Sequence, residues 1–539
     1  MLDRRASAAA NLIAGTVTRY VVLALNIAVG VVLMPFTVRH LGQTQYGLWM
    51  LVASLTTYFQ LLDLGYGNGV VRHLVDADRR GDMAEVNRIA STFVCVYAAI
   101  GVVAVVAIAA TAGFVVPRFP HLAPAQVRVA QMLLAILGAR VAIGFPLTVF
   151  GAVTNARQGF VVNNLVAGGI VVVSAVATYL VLESGRGLLT LVATTTAINL
   201  LGYAGYAWIA YRIMPRLRLR AASFSVSRWR DVTSFSVYLF VINVAGQVSF
   251  NVDNIVIGAA LGPASVAVYA IALRLAEYQR RLCDQFSGML FPVAMAFGAD
   301  GDRAALRRTL VDGNRIAMVL VAGASVCLIG FSGPLIGRWM GPAFAGSVLP
   351  FNVLAIAGMI VVSQAASSNV LIAVGRHRLV TWIWLAESAA NLALSLVLIR
   401  AIGLPGVAIG TLVPLVFGHL FVMLAAACGA VGITVGRCVY DTMRPAAVAA
   451  AIASGVCLFV RWIRPPLSAT AVIIEAAIVG GVYVASLATV GFDEETRRAY
   501  VARGRDAAAS VLAGLERVNG RRATNVEPEG PLSSRVIVP

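Results

Sequence analysis

Uninterrupted apolar runs of about 20 residues, each long enough to cross the hydrocarbon core of a bilayer, recur from one end of this chain to the other. "TRYVVLALNIAVGVVLMPFTV" (18–38) and "VCVYAAIGVVAVVAIAATAGFVV" (94–116) are two of them. In lipid every backbone amide must be satisfied within the protein, so spanning segments are helices or the strands of closed barrels. Barrel strands read as alternating segments of about ten residues, and these runs do not alternate. Composition points the same way: 59% of residues are hydrophobic, 12% are charged, and the mean hydropathy is +0.85. A soluble domain of this length needs a far more charged surface. The expected fold class is an all-α polytopic membrane protein.

Charge, Gly and Pro divide the runs into fourteen helices, near 12–37, 46–64, 89–116, 127–153, 160–182, 188–211, 233–258, 264–290, 313–336, 346–373, 379–399, 405–428, 445–461 and 468–490. The chain starts basic and then apolar, like a signal peptide, but the run continues to Thr37 without a cleavage site, so it reads as a retained first helix. With the N-terminus inside, the inside segments hold about 29 Arg and the outside loops about 8, which places both termini in the cytoplasm.

Shifting the sequence by 220 residues superimposes it on itself. Leu41-Gly42 falls on Leu261-Gly262, Tyr58 on Tyr278, Gly81-Asp82 on Gly301-Asp302 and Arg118 on Arg338, while "LAILG" (134–138) meets "LAIAG" (354–358). Each repeat holds six helices, an even number, so both insert with the same orientation and a substrate site is expected between them. The expected organisation is a six-helix lobe at 1–211, a basic cytoplasmic linker at 212–232, a second six-helix lobe at 233–430, two further helices at 431–490 and a cytoplasmic tail at 491–539. The tail begins as an amphipathic helix and ends polar and disordered.

Several chemistries drop out. All 42 basic residues are Arg and there is no Lys, so a Walker A phosphate loop and a Schiff-base lysine are both impossible. The net charge of +18 lies between apolar runs, as membrane topology demands, and does not point to nucleic acid. Six Cys include no C-x-x-C pair and read as packed thiols; five His have no metal-ligand spacing. No cofactor and no catalytic constellation is expected. "DLGYGNG" (63–69) reads as a helix end with turn glycines rather than a phosphate cradle.

The polar residues inside the runs are therefore the candidates. "YAIALRLAEYQRRLCDQF" (269–286) carries Arg274, Glu277, Arg281 and Asp284 within roughly 80° on one helical face. A charge at the bilayer centre costs about 2.5–3.5 kcal/mol on insertion scales, so the stripe must line a polar cavity or pair internally, as Arg274 and Glu277 can at i,i+3. Arg19 shares a face with Asn26 in the first helix, where it either lines a cavity or snorkels to the nearby end. Arg140 sits mid-helix, for a cavity or a buried acid. Asn243 and Gln247 share a face of the seventh helix, to bind hydroxyls or to hold helices together. Asp253, near the outer end of that helix, and Glu387, mid-membrane, are candidates for ion coupling; interfacial placement and structural pairing are the respective alternatives.

The segments "RHLGQTQYGLWMLVASLTTYFQLLDLGYGNGVVRHL" (39–74) and "NVDNIVIGAALGPASVAVYAIALRL" (251–275), with the fourteen-helix layout, resemble the polysaccharide-export branch of the MOP exporter superfamily. Its Wzx-type flippases carry undecaprenyl-diphosphate-linked oligosaccharides, of the O-antigen and exopolysaccharide kind, across the bacterial inner membrane without ATP hydrolysis. The resemblance implies a lipid-linked oligosaccharide substrate, membrane lipids and a polysaccharide polymerase or chain-length machinery as partners. It also implies alternating access through an Arg-lined cavity. The related lipid II flippases have an essential Arg in the helix and setting that "YAIALRL" provides, which maps to Arg274. A MATE-like drug exporter is the first alternative, although its cavity favours carboxylates. A membrane-embedded polymerase is the second, and it typically carries a long outside loop where this chain has only "VPRFPHLAPAQ" (116–126).

Overall fold

In the computed structural model, residues 2–463, 468–492, 494, 497 and 498 are described, excepting the side chains of 2–13, 68, 234–251, 282, 284–289 and 469. The expected amphipathic tail beyond Gly491 lies almost wholly outside them. The described chain is helical nearly throughout: α1 (Leu2–Phe59), α2 (Tyr66–Arg79), α3 (Met83–Ala110), α4 (Pro124–Ala156), α5 (Phe160–Glu183), α6 (Leu188–Ile213), α7 (Val226–Leu261) and α8 (Pro263–Ala299). There follow α9 (Arg303–Gly330), a short α10 (Ser332–Trp339), α11 (Val348–Ser363), α12 (Ala365–Ala373), α13 (His377–Ile402), α14 (Leu404–Leu415), α15 (Leu424–Val431), α16 (Val435–Ile463) and α17 (Ala469–Ser486). Eleven helical segments among the described residues are long and apolar enough to span a membrane. The Gly42 kink divides one of these into two crossings, and α7 and α8 supply two more, giving fourteen.

The 220-residue repeat is written in backbone geometry. Gly42 (φ 75°) turns the chain between its first two crossings, and Gly262 (φ 83°) does so between α7 and α8. Gly81 and Gly301, at φ 71° and 69°, form the paired turns at the opposite face. A side chain at such φ is strained, which is why glycine stands at all four. The next residue in each later pair caps the following helix: Asp82 accepts from the Glu85 amide and Asp302 from the Ala305 amide, both at 2.9 Å. The turns at 81 and 301 mark the basic face of the molecule; those at 42 and 262 mark the opposite face, named the outer face below.

The second crossing ends at "DLGYGNG", as expected: Leu64 (φ 52°) and Gly65 (φ 75°) break the helix after Asp63, and α2 then runs separately to Arg79. One expected boundary moves: the linker at 212–232 is shorter, because α7 begins at Val226 and only 214–225 lies between α6 and α7. That stretch is stitched along α3: the Arg218, Arg220 and Ser225 amides donate to Asn87, Ser91 and Thr92 at 2.8, 3.0 and 3.1 Å.

The two halves meet towards the outer face. Gly47 lies so close to α8 that a Cβ there would overlap the Pro263 carbonyl oxygen, and one at Gly258 would meet Leu51. Gln43 donates to the Ala343 carbonyl at 3.1 Å; deeper, the Trp339 indole donates to the Val31 carbonyl at 2.7 Å and Asn254 to Ser54 at 2.8 Å. Small residues let membrane helices approach until backbone touches backbone, and here they seal the cleft on its outer side. Gly47→Ala is expected to loosen that seal: in a background without the native cysteines, Ser54→Cys should react several-fold faster with a water-soluble maleimide when Gly47 is replaced.

Candidate functional site: a cationic cleft and a polar file

Beneath the seal the halves enclose a cavity of about 420 Å³. The first half contributes Asn26, Thr37 and Trp49 from α1, Ser174 and Thr178 from α5 and Asn199 from α6; the second half contributes Arg274 and Tyr278 from α8. Among the described residues, Arg274 is the one charged residue in this lining. Counting about 1.5 Å per residue from Pro263, it stands about 16 Å below the outer end of α8, close to the middle of a 30 Å hydrocarbon layer. No snorkelling route exists from there. Its side chain is 42% exposed, to the cavity, and its Nη1 donates to Glu277 Oε2 at 3.2 Å. Arg281 Nη2 approaches the same oxygen at 3.9 Å. Glu277 thus bridges two guanidiniums, and one carboxylate against two arginines leaves this trio net positive. An adjoining space of about 130 Å³ opens between Arg274, Glu277, Ser54, Thr57 and Asn254. The two readings of the stripe are therefore compatible, since the pair forms and the arginine still faces the cavity.

The other sequence candidates distribute unevenly. Asn26 lines the cavity, with its amide donating to the Val22 carbonyl at 3.0 Å. Arg281 does not line it; about 27 Å along α8 from Pro263, it reaches the basic boundary and is 52% exposed. Arg19, about 34 Å from the Gly42 kink, likewise sits at the basic boundary and is exposed, so the snorkelling reading replaces the cavity reading. Arg140 is half-buried on α4 and lines neither space. The side chains of Asn243, Gln247 and Asp284 lie outside the described residues.

Asp253 is not interfacial. It is 2% exposed, and its Oδ2 accepts from the Tyr269 hydroxyl at 2.6 Å and the Thr411 hydroxyl at 3.1 Å. Its Oδ1 is buried and accepts no hydrogen bond. The oxygens continue outwards: Thr411 Oγ1 lies 3.2 Å from the Val407 carbonyl, and Ser395 Oγ lies 3.4 Å from that carbonyl and 3.0 Å from Asn391 Oδ1. Carboxylate, hydroxyl, amide and carbonyl oxygens are the donor set of hard cations. Glu387 is buried on α13 and meets His419, a partner that metal-ligand spacing alone did not reveal, at 2.8 Å. The signal was present: Glu387, Asn391 and Ser395 recur every four residues on α13, as do Val407, Thr411, Leu415 and His419 on the neighbouring helix. The sequence reading also missed Asp63, which accepts from Tyr97 at 2.5 Å and lines a separate 430 Å³ space within the first half.

A family model described as "Polysaccharide biosynthesis protein" matches residues 13–295, over half of the 539. The chain belongs to this family. It is also 23% identical over 354 residues to the "Uncharacterized membrane protein EpsK" of Bacillus subtilis (strain 168), covering 63% of this chain and 67% of that protein. Among solved structures it superimposes on the lipid II flippase MurJ in an inward closed conformation, with a TM-score of 0.65 and 13% identity over 88% of this chain and 98% of that one. An inward-facing MATE multidrug transporter of the MOP superfamily matches with a TM-score of 0.59 and 14% identity, over 76% and 98%. At such identities the likeness establishes the fold alone, and the family adds polysaccharide biosynthesis.

The close packing around Glu387 is testable. A Cβ on Gly418 would overlap its carboxylate, whereas one on Gly429 of α15 would meet nothing within 4 Å. Gly418→Ala should destabilise the protein by about 1–3 kcal/mol, the usual cost of overpacking. In a thermal melt in detergent it should lower the midpoint, and Gly429→Ala should leave it in place.

Proposed function

We propose that this protein is a flippase that moves an undecaprenyl-diphosphate-linked oligosaccharide from the cytoplasmic to the periplasmic leaflet of the bacterial inner membrane. The observation that carries this reading is the lining of the central cavity, where a lone mid-membrane arginine stands among amide, hydroxyl and aromatic side chains. A guanidinium offers a planar fork to phosphate oxygens. Asn26, Asn199, Thr37 and Thr178 offer hydrogen bonds to sugar hydroxyls, and Trp49 and Tyr278 offer flat faces. Family membership in polysaccharide biosynthesis supports the same substrate class. A cavity for cationic drugs would be served by an acid where this one has Arg274, which counts against the MATE-like reading.

In this reading the basic face is cytoplasmic, as are both termini, and the cleft sealed on its outer side is the loading state. The diphosphate enters beside Arg274 while the lipid tail stays in the bilayer. The two lobes, 1–211 and 233–430, then rock about the cavity, and the seal around Gly47 and Pro263 parts to release the head group. A polysaccharide polymerase or chain-length machinery receives the product outside. An inside-negative potential favours export of the anion by about 2.3 kcal/mol per charge per 100 mV. The Asp253 cluster binds a coupling cation, and Asn254, the next residue, bonds to Ser54 across the two halves, beneath the outer seal. Cation occupancy is thereby linked to the seal through one helix.

Two outcomes are expected. In a strain that depends on this protein for surface polysaccharide, Arg274→Ala should reach the membrane at wild-type levels, accumulate lipid-linked oligosaccharide on the cytoplasmic leaflet and lose surface glycan. A null strain with unchanged lipid-linked sugar and lost resistance to cationic dyes would overturn the reading. For the coupling site, a monovalent cation should raise the melting midpoint of the purified protein, and Asp253→Asn should abolish that rise.

A further inference from the structure

The cleft and the Asp253 cluster leave one buried titratable pair unused. Glu387 and His419 are 5% and 2% exposed, with Nδ1 and Oε1 2.8 Å apart. The surrounding structure is shaped to admit them. Gly418 leaves room for the carboxylate that any side chain would fill. The helix widens to a π-helix over Val416–Met423, a form that recurs at functional sites and that here carries both Gly418 and His419. The Trp384 ring lies 6.1 Å from the imidazole, and its buried indole N–H has no hydrogen-bond partner. The carboxylate also helps to line an apolar groove of about 460 Å³, together with the exposed rings of Trp382 and Phe417 and with Val422.

Other charges are distant or engaged. On α13, His377, Arg378 and Arg400 stand roughly 14–20 Å along the axis from Glu387. On the neighbouring α7, Asp253 is held by Tyr269 and Thr411, and Arg228, Arg230 and Asp231 lie at that helix's basic end. The neighbouring α11, α12 and α14 carry no titratable residue, and α15 carries Cys428. A buried carboxylate is costly without a counter-charge, and a bound proton removes that cost. With one proton between them the two groups carry a net negative charge. With two they are neutral, as imidazolium and carboxylate or as imidazole and carboxylic acid.

We propose that Glu387 and His419 form a proton-binding site, the lower station of the file whose upper station is Asp253. The four-residue steps on α13 place successive members of the file about 6 Å apart, from Ser395 near the outer end to Glu387 towards the basic face. The use made of the proton rests on the transport reading above; the binding itself does not, and it is tested without transport.

The probe is dicyclohexylcarbodiimide, an apolar reagent that adds to a protonated carboxyl and reaches Glu387 through the groove. With the full chain in lipid nanodiscs, mass spectrometry should find an adduct on Glu387 that falls about tenfold between about pH 5.5 and about pH 8.5, the range in which an imidazole exchanges its proton. His419→Gln should move the pH at which half the labelling is lost. Absence of the adduct at every pH, or labelling indifferent to pH, would overturn the proposal. Should His419→Gln not fold, indole emission decides. A protonated imidazole quenches a neighbouring indole, so wild-type emission should drop as pH falls, and Trp384→Phe should remove that drop. Emission with no such component overturns the proposal equally. Loss of flipping in the leaflet assay with the adduct intact would discredit the transport reading alone.

Discussion

A guanidinium cannot sit in hydrocarbon without water or a counter-charge, and the rest of this molecule is arranged around that constraint at Arg274. Its depth, about 16 Å from the outer end of α8, excludes escape to either interface. The protein answers with both remedies at once. Glu277 supplies one carboxylate for two arginines, and the cavity between the halves supplies a polar surface. A fully neutralised pair would need no cavity; a lone arginine would be a steep penalty on insertion. The intermediate solution leaves a positive site in the middle of the membrane, which is what an anionic head group requires in order to leave its leaflet.

The same constraint organises the second half. Asp253, Glu387 and His419 are buried beyond the reach of solvent, and each finds partners along one line where α13 meets α14 and the π-helical stretch. Helix widening at Val416–Met423 and the missing side chain at Gly418 are costs in regular packing and in helix stability. A purely structural pair would be cheaper as two apolar residues of similar volume, because replacing buried ion pairs is often neutral or stabilising. The retention of a carboxylate and an imidazole there, next to an oxygen cluster, makes sense if the line carries charge.

Helix number, the repeat and the Arg274 stripe were legible in the sequence because each rests on a one-dimensional signal: run length, a fixed offset and spacing of three or four residues. The paired glycines at 42 and 262 are the clearest case, since the identity match at offset 220 reappears as similar positive φ angles, 75° and 83°. Depth was less legible. Arg19 and Arg281 lie on the expected faces, but their helices extend further than hydropathy alone suggests, α8 to Ala299, so both fall at the boundary rather than in the cavity. Partners across helices were legible least of all. Tyr269, Thr411 and His419 meet their carboxylates through tertiary packing, for which a single sequence offers only the four-residue recurrence of polar positions.

Asp253 and Asn254 are adjacent on α7, about 100° apart around its axis. One faces the oxygen cluster between α13 and α14; the other crosses to Ser54 in the first half, beneath the seal. A helix is stiff against bending and twisting over a single peptide, so a change in what Asp253 binds is felt by Asn254 without any intervening chain of contacts. The seal itself is unforgiving, because Gly47 touches Pro263 backbone to backbone and sub-ångström displacements there cost contact. Close packing on one side of α7 and an ion-sized cluster on the other are the two ingredients of a bistable element. The chain places them on consecutive residues.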